Sequence, residues 1–347
     1  MFVFDHPSFD DHEGVHAFAD PASGLKAIVA IHSTARGPAS GGCRLWSYVS
    51  EDAAIDDVLR LSKGMSYKNA MANLDLGGGK AVIIKPEGEF NRTALFTAFG
   101  KFIDQLGGRY ITAEDVGVSP ADMEIIHAQT PYVAGLNSGE AASGDPSPIT
   151  AEGVYRGMRA AVQHRLGRDG LNGLTVAVQG IGHVGYALCE HVHKAGARLI
   201  VTDINTEALQ KARDELGAVI VAPNDIYRQQ ADIFAPCALG RAINPDTLPQ
   251  LKVKIVAGAA NNQLSTPEMG AALHRNNILF APDYVINAGG IINIASEISG
   301  TYDPAWVASK LDELEATTRD VFAKAERAKR PTNEIADDMA RQRLGRA

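Results

Sequence analysis

The chain is poor in cysteine and in aromatic residues and has no long apolar run, and each shortage narrows what it can be. Cys43, Cys189 and Cys237 are the only cysteines among 347 residues, odd in number and far apart. They form no CxxC pair and no Cys/His cluster at zinc spacing, which argues against a disulfide framework and a structural metal; no metal is expected. No stretch reaches the ~18 uninterrupted apolar residues that a membrane helix needs. Met1 to Asp11, with Asp5, His6, Asp10 and Asp11, lacks the basic and apolar segments of a secretion signal. Basic residues are outnumbered, 33 Lys and Arg against 41 Asp and Glu, so neither nucleic acid nor a membrane surface is an expected partner. A cytoplasmic location is the expectation.

What is present is enough for two ordinary domains, each with its own core. In the first half, Leu25 to His32 is an apolar, β-leaning run after a turn-like Asp-Pro-Ala-Ser-Gly segment. Ser50-Glu51-Asp52 opens a helical pattern in which Ile55, Val58, Leu59 and Leu61 recur at spacings of three and four. A strand is predicted over Ala81 to Lys85, directly after Gly77-Gly78-Gly79-Lys80; a helix from about Arg92 to Leu106 and a strand at Tyr110 to Ala113 follow. Between Leu136 and Thr150 the chain turns rich in Gly, Ser and Pro, the composition of an interdomain hinge. The second half alternates strand and helix, with strands predicted at Leu174–Gln179, Arg198–Asp203, Ala218–Ala222, Ala231–Pro236 and Val253–Ala259. Such alternation implies a parallel sheet covered by helices on both faces.

Gly180-Ile181-Gly182-His183-Val184-Gly185 fits G-x-G-x-x-G, a weak signal by itself. Here it follows the apolar strand Val176-Ala177-Val178 and opens a helix, the context its mechanism requires. The glycines permit a tight turn and close approach of a pyrophosphate to backbone N–H groups at a helix N-terminus. An acidic residue is then expected about twenty positions on, to accept hydrogen bonds from the adenosine ribose, and Asp203 occupies that place. A carboxylate there repels a 2′-phosphate, and Arg198 at the start of the strand is too far back to rescue one. NAD is therefore expected rather than NADP.

Lys68 and Lys80 flank the glycine run in YKNAMANLDLGGGKAVII. A lysine fixed at the mouth of a strand can do acid–base work if its pKa falls, and a second ammonium and partial desolvation both push it that way. Asp115 stands just after a predicted strand. Spacing alone leaves two readings open: the lysines are solvated or functional, and Glu114 and Asp115 cap the next helix or serve a reaction.

Taken together, the motifs resemble the glutamate/leucine/phenylalanine/valine dehydrogenase family, nearest to its leucine-specific branch. The segments that carry the resemblance are GPASGGCRLW (Gly37 to Trp46), the lysine–glycine segment, TAEDVG (Thr112 to Gly117), PSPITAEGVYRGM (Pro146 to Met158), AVQGIGHVG (Ala177 to Gly185), AGAANNQL (Ala257 to Leu264) and PDYVINAGGIIN (Pro282 to Asn293). They span nearly the whole chain. The fold implied is α/β in two domains separated by a cleft. An N-terminal α/β substrate and oligomerisation domain covers residues 1–140, with a C-terminal helix of about 328–347 packed back onto it. A Rossmann dinucleotide-binding domain covers 141–327. The resemblance implies that Lys80 activates the water that attacks an imino intermediate and that Asp115 exchanges protons with the substrate nitrogen. It implies that Lys68 binds the α-carboxylate, helped by Asn262 and by backbone at Gly41 and Gly42. It places Thr150 on the nicotinamide amide and Cys237 and Ala238 in the cofactor site. A homo-oligomer is implied, of unspecified number.

The expected reaction is reversible, NAD-dependent oxidative deamination of a small apolar L-amino acid to its 2-oxo acid and ammonium. In resembling enzymes the side-chain pocket is walled by positions that match Ser40, Ala113, Ile291 and Ile294. The two isoleucines stand where valine is frequent and narrow it; Ser40 stands where leucine or methionine is usual and widens it. One methylene changes discrimination by only ~1–3 kcal/mol, so these opposed changes leave the ranking open. Leucine, valine and isoleucine are the expected substrates, with phenylalanine as the alternative and a non-catalytic NAD-binding regulator as a distant one. His191 and His193, two apart on a predicted helix, do not share a face and are not read as a metal site.

Overall fold

Two separate sheets organise the chain in the computed structural model, which describes residues 3–136, 144–238 and 240–346. The fold divides into two compact units. The first comprises Met1–Gly144, Ile294–Asp303 and Ala340–Ala347; the second comprises Asp145–Asn293 and Pro304–Met339. Of the Gly/Ser/Pro-rich stretch read as a hinge, residues 137–143 lie outside the described residues. Among the described residues no helix is long and apolar enough to cross a membrane.

In the first unit, β1 (Gly14–Asp20), β2 (Leu25–Ser33), β3 (Ala39–Trp46), β4 (Gly77–Ile84) and β5 (Tyr110–Glu114) form one sheet in the order β1-β2-β4-β3-β5. The pairs β1/β2 and β2/β4 are antiparallel, whereas β3 runs parallel to both β4 and β5. Helices α1 (Glu51–Met71), α2 (Arg92–Gln105) and α3 (Pro120–His127) cover it. Strand alternation sorts the side chains. Ala81 and Ile83 pack with Phe96 and Phe99 of α2 and with Met123 and Ile126 of α3. Val82 and Ala30 instead pack with Val58 and Leu59 of α1. Lys80, two residues before Val82, therefore belongs to the α1 face.

The glycine run is not a loop before the strand, as the sequence suggests, but the first part of β4 itself. The reason is crowding. A Cβ on Gly77 would lie 2.0 Å from the Ser33 carbonyl oxygen, one on Gly78 2.0 Å from the Ser66 backbone nitrogen, and one on Gly79 2.7 Å from the Tyr110 ring. Without side chains, β2, α1 and the Tyr110 ring can all press against β4. Lys80 consequently sits in mid-strand, 6% exposed, rather than at a strand mouth.

Both ends of α1 are fixed. The Ser50 hydroxyl accepts the Ala53 N–H at 3.1 Å, with Glu51 and Asp52 in the first turn, an arrangement worth about 1 kcal/mol. At the other end Arg343 donates to the carbonyls of Ala70 and Met71, each at 3.0 Å. The neighbouring Arg346 donates to the carbonyl oxygens of Asp10, Asp11 and His32. Burial and the Arg346 charge push the His32 imidazole down to about 3, so its Nε2 stays neutral and accepts from Arg346 at 2.9 Å.

The second unit is built on β6 (Thr175–Gln179), β7 (Arg198–Thr202), β8 (Val219–Ile220), β9 (Ile233–Pro236), β10 (Ile255–Val256) and β11 (Leu279–Phe280). They pair in parallel in the order β11-β10-β9-β6-β7-β8. Read from β8, that is the doubly wound 3-2-1-4-5-6 order, whose direction reverses between β6 and β9. The parallel sheet expected from the alternating sequence is thus present, with β8, β10 and β11 cut to two residues each. The helices that fall wholly or partly in this unit are α4 (Ser147–Leu166), α5 (His183–Lys194), α6 (Thr206–Leu216), α7 (Glu268–Arg275), α8 (Asp283–Ile286), α9 (Gly289–Ile298), whose residues from Ile294 group with the first unit, α10 (Pro304–Ala328) and α11 (Thr332–Arg343). Residues of α11 up to Met339 group with the second unit, where Thr332 donates to the Phe280 carbonyl at 2.6 Å, and Ala340 onward groups with the first.

Candidate active site

In the first unit the ammonium of Lys80 lies 2.6 Å from Oδ2 of Asp115. The two come from strands that are not paired with each other: Lys80 is on β4 and Asp115 follows β5, with β3 between them. The registers Cys43↔Ala81 and Gly42↔Ala113 set Gly42 opposite Lys80, so at that level β3 carries no side chain. A Cβ on Gly42 would lie 2.7 Å from Cβ of Asp115. The glycine opens the gap that the ion pair closes.

Oδ2 of Asp115 also accepts from Nε of Arg44 at 3.1 Å. Burial by itself would raise the Asp115 carboxyl, but the charges of Lys80 and Arg44 outweigh it and hold the group below the usual carboxylate range. Arg44 continues to α1, where its Nη1 meets Oδ2 of Asp57 at 2.8 Å and the Tyr48 hydroxyl donates to the same oxygen at 2.8 Å. The sequence reading missed Arg44, Asp57 and Tyr48. A signal was available: Ser40, Gly42 and Arg44 share one strand face, and an arginine on a face that packs on a helix requires acid partners.

The remaining expected positions of this unit lie on β3, β5, α1 and α9. Ala113 is buried in register with Gly42, and Ser40 is fully buried with its hydroxyl lacking a hydrogen-bond partner. The Gly41 and Gly42 carbonyls accept the Tyr110 hydroxyl at 2.6 and 3.3 Å. Lys68 lies in the last turn of α1, the helix that packs on β4, and is half-buried. Ile294, half-buried on α9, belongs to the same unit.

In the second unit the glycine loop stands at the carboxyl end of β6, beside the point where the strand order reverses. Gly180 takes φ +91°, a left-handed conformation that favours glycine, and a Cβ there would lie 2.6 Å from Ala238. A Cβ on Gly185 would lie 2.1 Å from the Gly180 carbonyl oxygen, so the third glycine brings α5 onto the loop. Gly182 differs: its Cβ would meet nothing within 4 Å, and no side chain caps α5. An open, uncapped helix N-terminus with exposed Gly182 and His183 fits a dinucleotide pyrophosphate. Asp203 follows β7, accepting the Ile181 N–H at 2.6 Å and the Asn205 N–H at 2.8 Å. It thus fixes the glycine loop, a role the sequence reading did not foresee.

Cys237 and Ala238 follow β9 and face the loop; the Cys237 N–H donates to the Gln179 carbonyl at 2.7 Å. Desolvation pushes the Cys237 thiol up to about 12, which keeps it protonated at neutral pH. Thr150, in the first turn of α4, donates to the Pro146 carbonyl at 3.0 Å. Asn262 is exposed at φ +52°, with its carbonyl accepting the Arg241 N–H at 2.7 Å, and Ile291 is buried on α9. His191 stacks on Tyr155 at 5.3 Å, an ordinary packing contact. A cavity of about 430 Å³ elsewhere in this unit is lined by His164, His274, Phe280, Phe322 and Lys329 and contains none of the expected residues.

One unit that offers a dinucleotide site and another that offers a lysine–carboxylate pair are the two halves of an α/β dehydrogenase. More narrowly, the chain belongs to the glutamate/leucine/phenylalanine/valine dehydrogenase family. Residues 12–132 match that family's dimerisation domain and residues 201–344 its dehydrogenase domain. The chain is 53% identical to a leucine dehydrogenase of Geobacillus stearothermophilus over 344 residues, 99% of this chain and 94% of that one. It is 45% identical to a valine dehydrogenase of Streptomyces coelicolor over 345 residues, covering 99% and 94%. Among solved structures, the L-tryptophan dehydrogenase of Nostoc punctiforme superposes with a TM-score of 0.86 at 41% identity, with 96% of each chain covered. The family resemblance read from the motifs and the two-part α/β fold both stand.

Proposed function

We propose that the protein catalyses reversible, NAD-dependent oxidative deamination of leucine, valine and isoleucine. The balance is amino acid, NAD⁺ and water giving 2-oxo acid, ammonium, NADH and a proton. The observation that carries the reading is the 2.6 Å contact of Lys80 with Asp115 on a strand face cleared by glycine. Identities of 53% and 45% to leucine and valine dehydrogenases support the substrate class. The tryptophan dehydrogenase likeness favours an aromatic substrate, phenylalanine, as the second reading.

The chemistry that NAD supplies when bound is acceptance of the hydride from the substrate Cα. Backbone N–H groups at the start of α5, those of His183 and Val184, would hold the pyrophosphate, with Ile181 beside them in the Gly180–Gly185 loop that Asp203 fixes. Asp203 would take the ribose hydroxyls, with Thr150, Cys237 and Ala238 about the nicotinamide. Lys68, the backbone of Gly41 and Gly42, and Asn262 are assigned to the substrate α-carboxylate, a cation and donors against an anion. Asp115 accepts a proton from the substrate nitrogen and stabilises its positive charge. Lys80, in its neutral amine form, takes the proton of the water that adds to the imine carbon; Asp115 returns its proton to the carbinolamine nitrogen, and the C–N bond breaks as the hydroxyl proton is lost, releasing ammonium and leaving the 2-oxo acid. Ser40, Ala113, Ile291 and Ile294 are assigned to the side-chain pocket. Assembly as a homo-oligomer through the first unit fits the match to a dimerisation domain.

Lys80→Ala tests this reading. Turnover is expected to fall by about 10²–10⁴-fold, the usual size of a general acid–base contribution, while NADH binding measured by fluorescence stays near wild type. Near-normal turnover in the variant overturns the reading.

A further inference from the structure

We propose that Arg44 is the positioning residue of this site: it ties the Asp115 carboxylate to α1 through Asp57 and Tyr48 and so fixes Asp115 against Lys80. The inference rests on the functional reading above and gives one more residue a place in it. Arg44 is two positions beyond Gly42 on β3, hence on the same face, and its side chain is 23% exposed. Its guanidinium spends two different edges on two carboxylates, Nε on Asp115 at 3.1 Å and Nη1 on Asp57 at 2.8 Å. Asp57 in turn accepts the Tyr48 hydroxyl, which burial and the Asp57 charge push upward so that it remains a donor. The result is a continuous chain of hydrogen bonds from helix to reacting pair.

Geometry makes arginine specific here. A planar fork sets the angle between its two partners, whereas a lysine ammonium is a point charge on a flexible stem. Lys80 and Arg44 both donate to Oδ2 of Asp115, so loss of the guanidinium frees the carboxylate to rotate about its own bond. The groups that act on Asp115 are Lys80 from β4, Arg44 and the thiol of Cys43 from β3, Tyr48 beyond β3, and the phenol of Tyr110 from β5. Of these only Lys80 and Arg44 are cations, and with Arg44 gone the upward push of burial is opposed by Lys80 and by the hydrogen bond from the Val116 N–H.

The test is Arg44→Met and Arg44→Lys in the full-length enzyme, with two readouts. Steady-state leucine oxidation with NAD is expected to show kcat lowered on the order of 10²-fold in Arg44→Met, as for a displaced reacting group, with the leucine KM little changed. Arg44→Lys is expected to recover part of it. Independently of turnover, infrared difference spectra against Asp115→Asn follow the Asp115 carboxyl through its titration, and its midpoint is expected to move to higher pH in Arg44→Met and less in Arg44→Lys. Wild-type kcat and an unmoved midpoint in Arg44→Met overturn the proposal. If that variant does not fold, Asp57→Asn, which keeps the Arg44 cation and removes the charge that anchors it, is read by kcat alone, and wild-type kcat there overturns the proposal equally. Normal Arg44→Met beside an inactive Lys80→Ala sinks the positioning role alone; an active Lys80→Ala sinks the functional reading beneath it.

Discussion

Lys80 and Asp115 meet at 2.6 Å across β3 because Gly42, the β3 residue at that level, has no side chain to stand between them. The ion pair and the glycine are one feature seen from two sides. Two strands that are not neighbours can bring side chains together only if the strand between them is bare at that point, and β3 is bare at both Gly41 and Gly42.

Removing the carboxylate separates charge from geometry. Asp115→Asn leaves Lys80, 7% exposed in its side chain, and Arg44 without their shared counter-charge. Loss of one partner of such a pair costs on the order of 3–5 kcal/mol. Because Asp115 is held below the usual carboxylate range, its contribution is fully present above that range and is lost as pH falls through its lowered value. Denaturant unfolding of wild type and variant should therefore diverge most at neutral pH and converge in acid. A stability difference that is constant with pH would count against the ion trio.

Two glycine substitutions should behave in opposite ways. At Gly42 an added methyl lies 2.7 Å from Asp115 Cβ, so β3 and β5 must part and Gly42→Ala should lower both the melting temperature and turnover. At Gly182 the methyl has open space, so Gly182→Ala should keep the melting temperature and weaken NADH binding, where it crowds the pyrophosphate. Thermal melts with a fluorescence titration separate the two. Unaltered NADH affinity in Gly182→Ala would remove the pyrophosphate from that loop.

Asp203 carries two duties in this account. Asp203→Ser should raise the NADP-to-NAD ratio of kcat/KM by relieving repulsion of a 2′-phosphate. It should also weaken NAD use itself, since the Ile181 N–H loses its acceptor at 2.6 Å. An unchanged cofactor ratio would mean that Asp203 serves the loop and not the ribose.

The second unit was far more legible in the sequence than the first. The central strands of its parallel sheet are buried on both sides and read as apolar runs, as at Val176–Val178, and the glycine loop announces itself at the end of one. The first sheet hides its strands. β1 is a half-exposed edge strand, and β3 carries Gly41, Gly42 and Arg44 where an apolar pattern would be sought. Likewise Gly77, Gly78 and Gly79 have the composition of a loop but form strand, because what they accommodate is Ser33, Ser66 and Tyr110 from elsewhere in the chain. Lys80 and Asp115 could be named from their motifs; that they touch, and that Arg44 holds one of them, depends on registers that no local pattern encodes.

The most direct test is the initial rate of NADH or NADPH formation by the wild-type enzyme with leucine, valine, isoleucine, phenylalanine and tryptophan, each with NAD and with NADP. The account predicts that the three branched-chain amino acids are oxidised with NAD and poorly with NADP. A large preference for phenylalanine or tryptophan, equal use of NADP, or no reduced cofactor from any of the five would contradict it.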